Sequence, residues 1–388
     1  MSINCWQLCH ISSATNQNLT DYLIRMYSIK MPKTNNFRID SHKLQLHPQR
    51  VTQWLDGKII YPIYMEISPA GTCNHRCTFC AIDYMGYRPR FLQTDILLER
   101  LTELGNLGVR SIMYSGEGEP LLHSDIAKII QHTKAAGIDV AMSTNGVLLT
   151  QNLAEQILPF MSWIKISINA GSAAGYANIH GTRPDDFEQV LENIASAARF
   201  VKNNESECTI GTQALLLPEN VDEIEALAQR VKEAGASYLV IKPYSQHHKS
   251  HTQKYAGIDY TPYMKMPEML ERFNDSNFNV VFRMDTIMKM QRTERGYKHC
   301  LALPFWSYID SGGNVWGCSS YMGDEHFLYG NIFEESFQAI WTGERRQKSL
   351  DFVSAEMNPE GCRMNCRMDE INHYLWELTH PSEHVNFI

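Results

Sequence analysis

Between residues 61 and 245 apolar runs of strand length alternate with helical patterns, and nothing else in the chain constrains its fold as strongly. The runs are YPIYMEIS (61–68), SIMYSG (111–116), DVAMSTN (139–145), WIKISIN (163–169), TIGTQALLL (209–217) and YLVIKPYS (238–245). Near-continuous hydrophobicity suits parallel strands that are covered on both faces. Helical patterns such as TDILLERLTELGNLG, SDIAKIIQHTKAAG and DDFEQVLENIASAARFV lie between them. Repeated strand–helix alternation predicts an α/β fold on a parallel sheet. The pattern supplies six strands rather than eight. Periodicity alone leaves a partial barrel and a doubly wound sheet both open.

The alternation fails after residue 246. Residues 247–299 read as a connecting segment with one helix pattern (YTPYMKMPEMLERFND) and one strand pattern (NVVFRM). From 300 to 388 the character is that of a small α+β domain: WSYIDSGGNVWGCSS suggests two short strands about a glycine turn, followed by a helical ESFQAIW. Residues 1–58 read as an extension of weak pattern, with helix potential around Leu19–Ile29. The core barrel is thus expected over 59–246.

The stretch GTCNHRCTFC, at the end of the first expected strand, spaces Cys73, Cys77 and Cys80 as C-x3-C-x2-C. A structural zinc site wants four ligands and a disulfide framework an even number of thiols. Three thiolates fit a [4Fe–4S] cluster with one iron left open to another ligand. Zinc completed by His75, or cysteines that are simply buried, is the competing reading. The place of the motif favours the cluster, because barrel active sites lie at the carboxyl ends of the strands. The wider composition agrees with such a setting. The chain has ten cysteines and no apparent leader peptide, which suggests a reducing, cytoplasmic location. No apolar run reaches the roughly 18–20 residues of a membrane span. A net charge of −8 with mixed signs argues against general nucleic-acid binding.

Several motifs in order resemble those of the radical S-adenosylmethionine (radical SAM) enzymes. Cys73-Asn-His-Arg-Cys77-Thr-Phe79-Cys80 matches their C-x3-C-x-aromatic-C signature. Ser115-Gly-Glu117-Gly118-Glu119-Pro, at the second strand end, is similar to their Gly-Gly-Glu-Pro motif but has Glu117 in place of a glycine. The resemblance implies a TIM-like partial (β/α)6 barrel. It further implies that Gly118 and Glu119 receive the methionine ammonium group, and that Ser143, Asn145, Ser167 and Asn169 contact the ribose and the methionine end. An ammonium needs a carboxylate, and ribose hydroxyls need small polar partners, so the residue types suit these roles. Phe79 is expected to shield the cluster or the adenine, and Arg183 to pair with the cofactor carboxylate.

Cys300, Gly313 and Cys318 follow C-x(9–15)-G-x4-C, which resembles the opening of SPASM and Twitch domains. Only Cys362 and Cys366 come after, so the implied domain holds one auxiliary [4Fe–4S] cluster with four thiolates. Zinc held by four cysteines is again the alternative. The implied chemistry is reductive cleavage of S-adenosylmethionine to a 5′-deoxyadenosyl radical, with electrons from a flavodoxin- or ferredoxin-type donor. A fully ligated auxiliary cluster suits electron transfer, which favours two-electron oxidation of a sugar-like or nucleotide-linked small molecule. Peptide or protein modification and radical epimerisation are the alternatives, as is a non-enzymatic iron–sulfur or zinc sensor or scaffold. Catalytic candidates are Glu117, Tyr84, Lys242, Tyr244, His247 and His248, with Cys208 the barrel thiol for hydrogen return in an epimerase. No base is assigned among them.

Overall fold

The computed structural model of the chain describes residues 42–290 and 294–387. Cys5, Cys9 and the helix expected near Leu19–Ile29 lie outside the described residues. Seven strands run parallel and in sequence order: β1 (Tyr64–Ile67), β2 (Ser111–Tyr114), β3 (Asp139–Thr144), β4 (Trp163–Ser167), β5 (Thr209–Leu216), β6 (Tyr238–Pro243) and β7 (Asn279–Phe282). The six apolar runs form β1–β6, as expected of a partial TIM-like barrel. β7, which comes from the segment between the two expected domains, adds a seventh parallel strand beside β6.

The alternation of side chains builds two faces. In β4, Ile164 and Ile166 are fully buried under the helices, whereas Trp163, Lys165 and Ser167 are partly exposed on the inner, luminal face. The covering helices bury one stripe each. Helix Thr94–Asn106 buries Leu97, Leu101 and Leu104, spaced by four and three residues. Each of those side chains contributes about 1.5–3 kcal/mol on leaving water. The helical pattern at 260–275 breaks into a 3-10 turn (Thr261–Tyr263), a short helix (Met266–Leu270) and a second 3-10 turn (Glu271–Phe273). Pro262 and Pro267 explain the breaks, since each lacks the amide hydrogen that a continuous helix would use.

The C-terminal segment extends the same sheet. β8 (Trp306–Ile309) pairs in parallel with β1, and β9 (Asn314–Trp316) and β10 (Leu328–Asn331) add an antiparallel edge. The strand order is therefore β10-β9-β8-β1-β2-β3-β4-β5-β6-β7. The Glu103 carboxylate accepts the free amide hydrogens of Phe337 and Gln338 at 3.0 and 2.8 Å, so a barrel helix caps helix Phe337–Thr342. Trp341 Nε1 donates to Ile60 O at 2.7 Å. Helix Pro48–Leu55, from the segment read as an extension, packs here too. Its Val51 joins Leu44, Ile60, Ile63, Phe305 and Leu375 in a small core of its own. No helix among the described residues is long and apolar enough to cross a membrane.

Candidate functional site

The loop after β1 carries Cys73, Cys77 and Cys80 and is clamped from below. Its Arg76 and Thr78 amides donate to His180 O and Ile179 O at 3.0 and 2.9 Å, at the end of helix Ala173–His180. Ser250 Oγ donates to Cys80 O at 3.2 Å. Gly118 brings the second motif against the same loop, with Glu119 N donating to Thr72 O at 2.9 Å. A Cβ on Gly118 would stand 1.9 Å from Thr72 O, so only glycine permits the approach.

Glu119 is buried and pre-set as an anionic hydrogen-bond acceptor. One oxygen accepts from Thr144 Oγ1 (2.5 Å) and Leu121 N (3.1 Å), the other from Asn145 N (2.8 Å). Burial raises its pKa while these bonds oppose the rise. Each oxygen keeps lone-pair capacity for an ammonium donor. Asn145 Nδ2 in turn donates to Asn74 Oδ1 at 2.6 Å, inside the cysteine loop. Ser143 and Ser167 lie on the luminal face near the strand ends.

Two expected contacts are placed differently. Arg183 is largely exposed, and its guanidinium pairs with Asp186 at 3.1 Å, so it points to the surface rather than to the loop. Asn169 is buried, and its side chain is already engaged. Its Oδ1 accepts from Leu215 N at 2.6 Å, and both its Nδ2 and its backbone N lie 3.1 Å from His180 Nε2. Asn169 therefore orients a histidine instead of presenting itself to the cofactor. That histidine went unseen in the sequence. Its Nε2 accepts from the Asn169 amide, so the proton of the neutral ring sits on Nδ1, 3.6 Å from Cys77 Sγ. Burial holds the His180 pKa well below the ordinary histidine value, which keeps the ring neutral. A neutral N–H directed at a sulfur ligand is the arrangement that tunes a cluster from outside. Phe79 packs edge-on against the same ring at 5.7 Å.

The second thiol set gathers Cys300, Cys318, Cys362 and Cys366. Asn372 Nδ2 donates to Cys300 Sγ at 3.5 Å, Met368 N to Cys366 Sγ at 3.4 Å, and Tyr321 OH lies 3.5 Å from Cys362 Sγ. Buried Arg295 wraps the loop from behind. It donates to Cys362 O at 2.8 Å and Arg363 O at 3.0 Å and pairs with Asp369 at 2.9 Å. Burial pushes Cys300 to about 11 and Cys366 to about 12, and raises Cys77, Cys80 and Cys318 as well. Bound iron would favour the thiolates in these pockets. One zinc ion, with sulfur at about 2.3 Å, holds its sulfurs only about 3.8 Å apart. Among the described residues no three cysteine sulfurs lie within 4.8 Å of one another; His75, Cys77 and His180 form the one set whose ligand atoms do. Four thiolates can each bind a different iron of one cluster.

The catalytic candidates divide. Glu117 is locked in place by Arg90 at 3.3 Å and by Ser311 Oγ, so it ties the barrel loop to the turn before β9 and is not free to act as a base. Cys208 precedes β5 and is buried in the helix-covered core, at the opposite end of the strands from the cysteine loop. It cannot return a hydrogen atom to a substrate at the loop. Tyr84, His247, His248 and Tyr321 form a run of rings with centroids 4.7–5.2 Å apart, leading from the cysteine loop towards Cys362. Burial, then Arg363, lowers His247 to about 4, so its ring is neutral. Tyr244 is buried, with its hydroxyl 3.3 Å from Gln246 Oε1. Lys242 faces the lumen.

Comparison with known proteins matches this geometry. Residues 67–231 match the radical SAM superfamily, and residues 300–367 match the SPASM iron–sulfur cluster-binding domain. A GTP 3′,8-cyclase of Chlorobaculum tepidum is 29% identical over 204 residues, which span 50% of this chain and 58% of that protein. The chain thus aligns with little more than half of that relative. An AdoMet-dependent heme synthase of Methanosarcina barkeri is 25% identical over 69% of this chain and 79% of its own length. Among solved structures, Streptococcus suis SuiB bound to its precursor peptide SuiA superposes with a TM-score of 0.58 at 18% identity, covering 85% of this chain and 77% of that one.

Proposed function

Since this chain joins a radical SAM domain, which binds S-adenosylmethionine and a [4Fe–4S] cluster, to a SPASM-type domain with a further cluster site, we propose that it oxidises a small molecule by two electrons. When bound, the clusters and S-adenosylmethionine supply a 5′-deoxyadenosyl radical and an acceptor for the electron left on the substrate. The chain's own residues hold and orient. Glu119 receives the cofactor ammonium, Ser143 and Ser167 face its ribose, and His180 donates to Cys77. The observation that carries the reading is the completeness of the second thiol set. Four cysteines, three of them with hydrogen-bond partners at sulfur, leave no ligand position for substrate, which suits electron transfer. A sugar-like or nucleotide-linked substrate is favoured, in keeping with the similarity to a cyclase that acts on GTP. The enzyme would work in a reducing, cytoplasmic compartment with a flavodoxin- or ferredoxin-type donor. Peptide modification is the second reading, favoured by the likeness in fold to a structure with a bound precursor peptide.

Cys318→Ala combined with Cys362→Ala tests the proposal. The double variant is expected to cleave S-adenosylmethionine and to move substrate hydrogen into 5′-deoxyadenosine, yet to make little oxidised product. Product at the normal rate would reduce the second cluster to a structural part. Solvent deuterium at a substrate carbon, without net oxidation, would make the enzyme an epimerase.

A further inference from the structure

We propose that the substrate carries an anionic group, a phosphate or a carboxylate, held inside the barrel lumen by Lys165 and Lys242. The proposal deepens the functional reading above and rests on it for the identity of the lumen as the reaction chamber.

Strand alternation decides where the two lysines point. Ile164 and Ile166 of β4, and Leu239 and Ile241 of β6, are all fully buried under the helices. Lys165 and Lys242, on the opposite parity, therefore project into the lumen, where they remain partly exposed. β5 lies between the two strands, with Gly211 beside Lys165 and Leu215 beside Lys242. Neighbouring strands are about 4.8 Å apart, and Gly211 and Leu215 are separated by about 13 Å along β5, so the two lysine Cα atoms are about 16 Å apart and their side chains must lean towards each other to meet around one anion.

Neither lysine has an ion pair or hydrogen bond with the protein among the described residues. The Lys165 ammonium meets only the ring of Trp163, 5.5 Å from its centroid. Two more cations stand nearby. Arg283 follows β7, and its amide donates to Ile241 O at 2.8 Å, next to Lys242. Arg363 reaches from the second cysteine loop to donate to Ser245 O at 2.8 Å. The acids of the opposite wall are engaged elsewhere. Glu66 pairs with Arg367, Glu117 with Arg90, and Asp310 accepts from Trp316 Nε1 and Asn314 Nδ2.

Burial and Arg283 lower Lys165 to about 8, and burial, then Lys165, Arg363 and Arg283, push Lys242 well down. The cationic neighbours disfavour the charged form of the two lysines, and a bound anion would favour it. Lys165 also lies one luminal position below Ser167, away from the strand end where the cofactor contacts gather.

The test is calorimetric titration of the anaerobically reconstituted enzyme, with both clusters and S-adenosylmethionine bound. Pyrophosphate and malonate are the two probes, in separate arms. One of them should bind to the unmodified enzyme, and the preferred probe identifies a phosphoryl or a carboxylate group. Lys165→Met and Lys242→Met should each weaken that binding by about tenfold or more, as loss of a charge-assisted contact does. Lys242→Arg should retain most of it. The proposal is overturned if neither anion binds, if the methionine variants bind as tightly as the parent, or if only S-adenosylmethionine affinity falls. Formation of 5′-deoxyadenosine by the unmodified enzyme is scored separately. Its absence, with anion binding intact, would remove the functional reading and leave the anion site standing.

Discussion

The two thiol sets are assembled in opposite ways. Cys73, Cys77 and Cys80 share one loop, and backbone hydrogen bonds to Ile179 and His180 hold its shape. Cys300, Cys318, Cys362 and Cys366 come from distant parts of the chain, and a hairpin, two loops and the buried Arg295–Asp369 pair bring them together. The first set is a local motif that needs a rigid base. The second is a product of tertiary structure, so damage far from its sulfurs should disperse it. The barrel set should therefore fail mainly when its own residues change, and the auxiliary set also when its supports do.

The largest expected effect comes from changing Cys73, Cys77 and Cys80 together to alanine. Anaerobically prepared enzyme should hold about eight irons per chain, and the triple variant about four. Cleavage of S-adenosylmethionine should stop altogether. Four irons with stoichiometric zinc in the parent would instead make the second set a zinc site. Arg295→Met probes the supports of that second set. It removes the guanidinium from Asp369, which keeps the Tyr297 hydroxyl at 2.8 Å, and frees two loop carbonyls; breaking a buried pair costs up to about 3–5 kcal/mol. Thermal unfolding should begin earlier and iron should fall towards four, while the barrel still cleaves the cofactor. Equal loss of both activities would show that the two sites fold as one.

Glu119→Gln keeps the shape of the acceptor but removes its charge. The expected loss is about 1.5–3 kcal/mol, roughly ten- to a hundredfold in S-adenosylmethionine affinity, with cluster formation preserved. An unchanged dissociation constant would place the ammonium elsewhere. The smallest effect is the most specific. His180→Phe fills the space where Tyr176 stacks at 4.0 Å but removes the N–H facing Cys77. Loss of that donor destabilises the more negative, reduced cluster, so its midpoint potential should fall by about 20–60 mV, the equivalent of one ordinary hydrogen bond. A redox titration followed by electron paramagnetic resonance reads the shift, and the auxiliary cluster serves as the internal control.

Legibility in the sequence followed the range of the interaction. The six barrel strands, the cysteine loop and the Gly118–Glu119 turn were readable because each declares itself within a few residues by period, spacing or backbone need, and the four C-terminal cysteines through the longer Cys300–Gly313–Cys318 spacing and its resemblance to a known domain. His180 was not, since its role depends on Asn169 closing on it from the end of β4. Arg183 reads as a cofactor contact in the sequence, but it lies in the turn before helix Asp185–Asn203 and pairs with Asp186. Glu117 and Cys208 had suitable chemistry, but one is held by Arg90 and the other lies at the wrong end of the strands.

By itself, then, the sequence determined the parallel α/β sheet and the chemistry of the two thiol sets, because hydrophobic period and ligand spacing are local quantities. Only the tertiary structure decided that β8 pairs with β1, which joins the C-terminal segment to the barrel sheet. It alone also decided that Lys165 and Lys242 share one lumen. Both outcomes depend on strand order and register, which bring together residues far apart in the chain, and no short stretch of sequence carries that information.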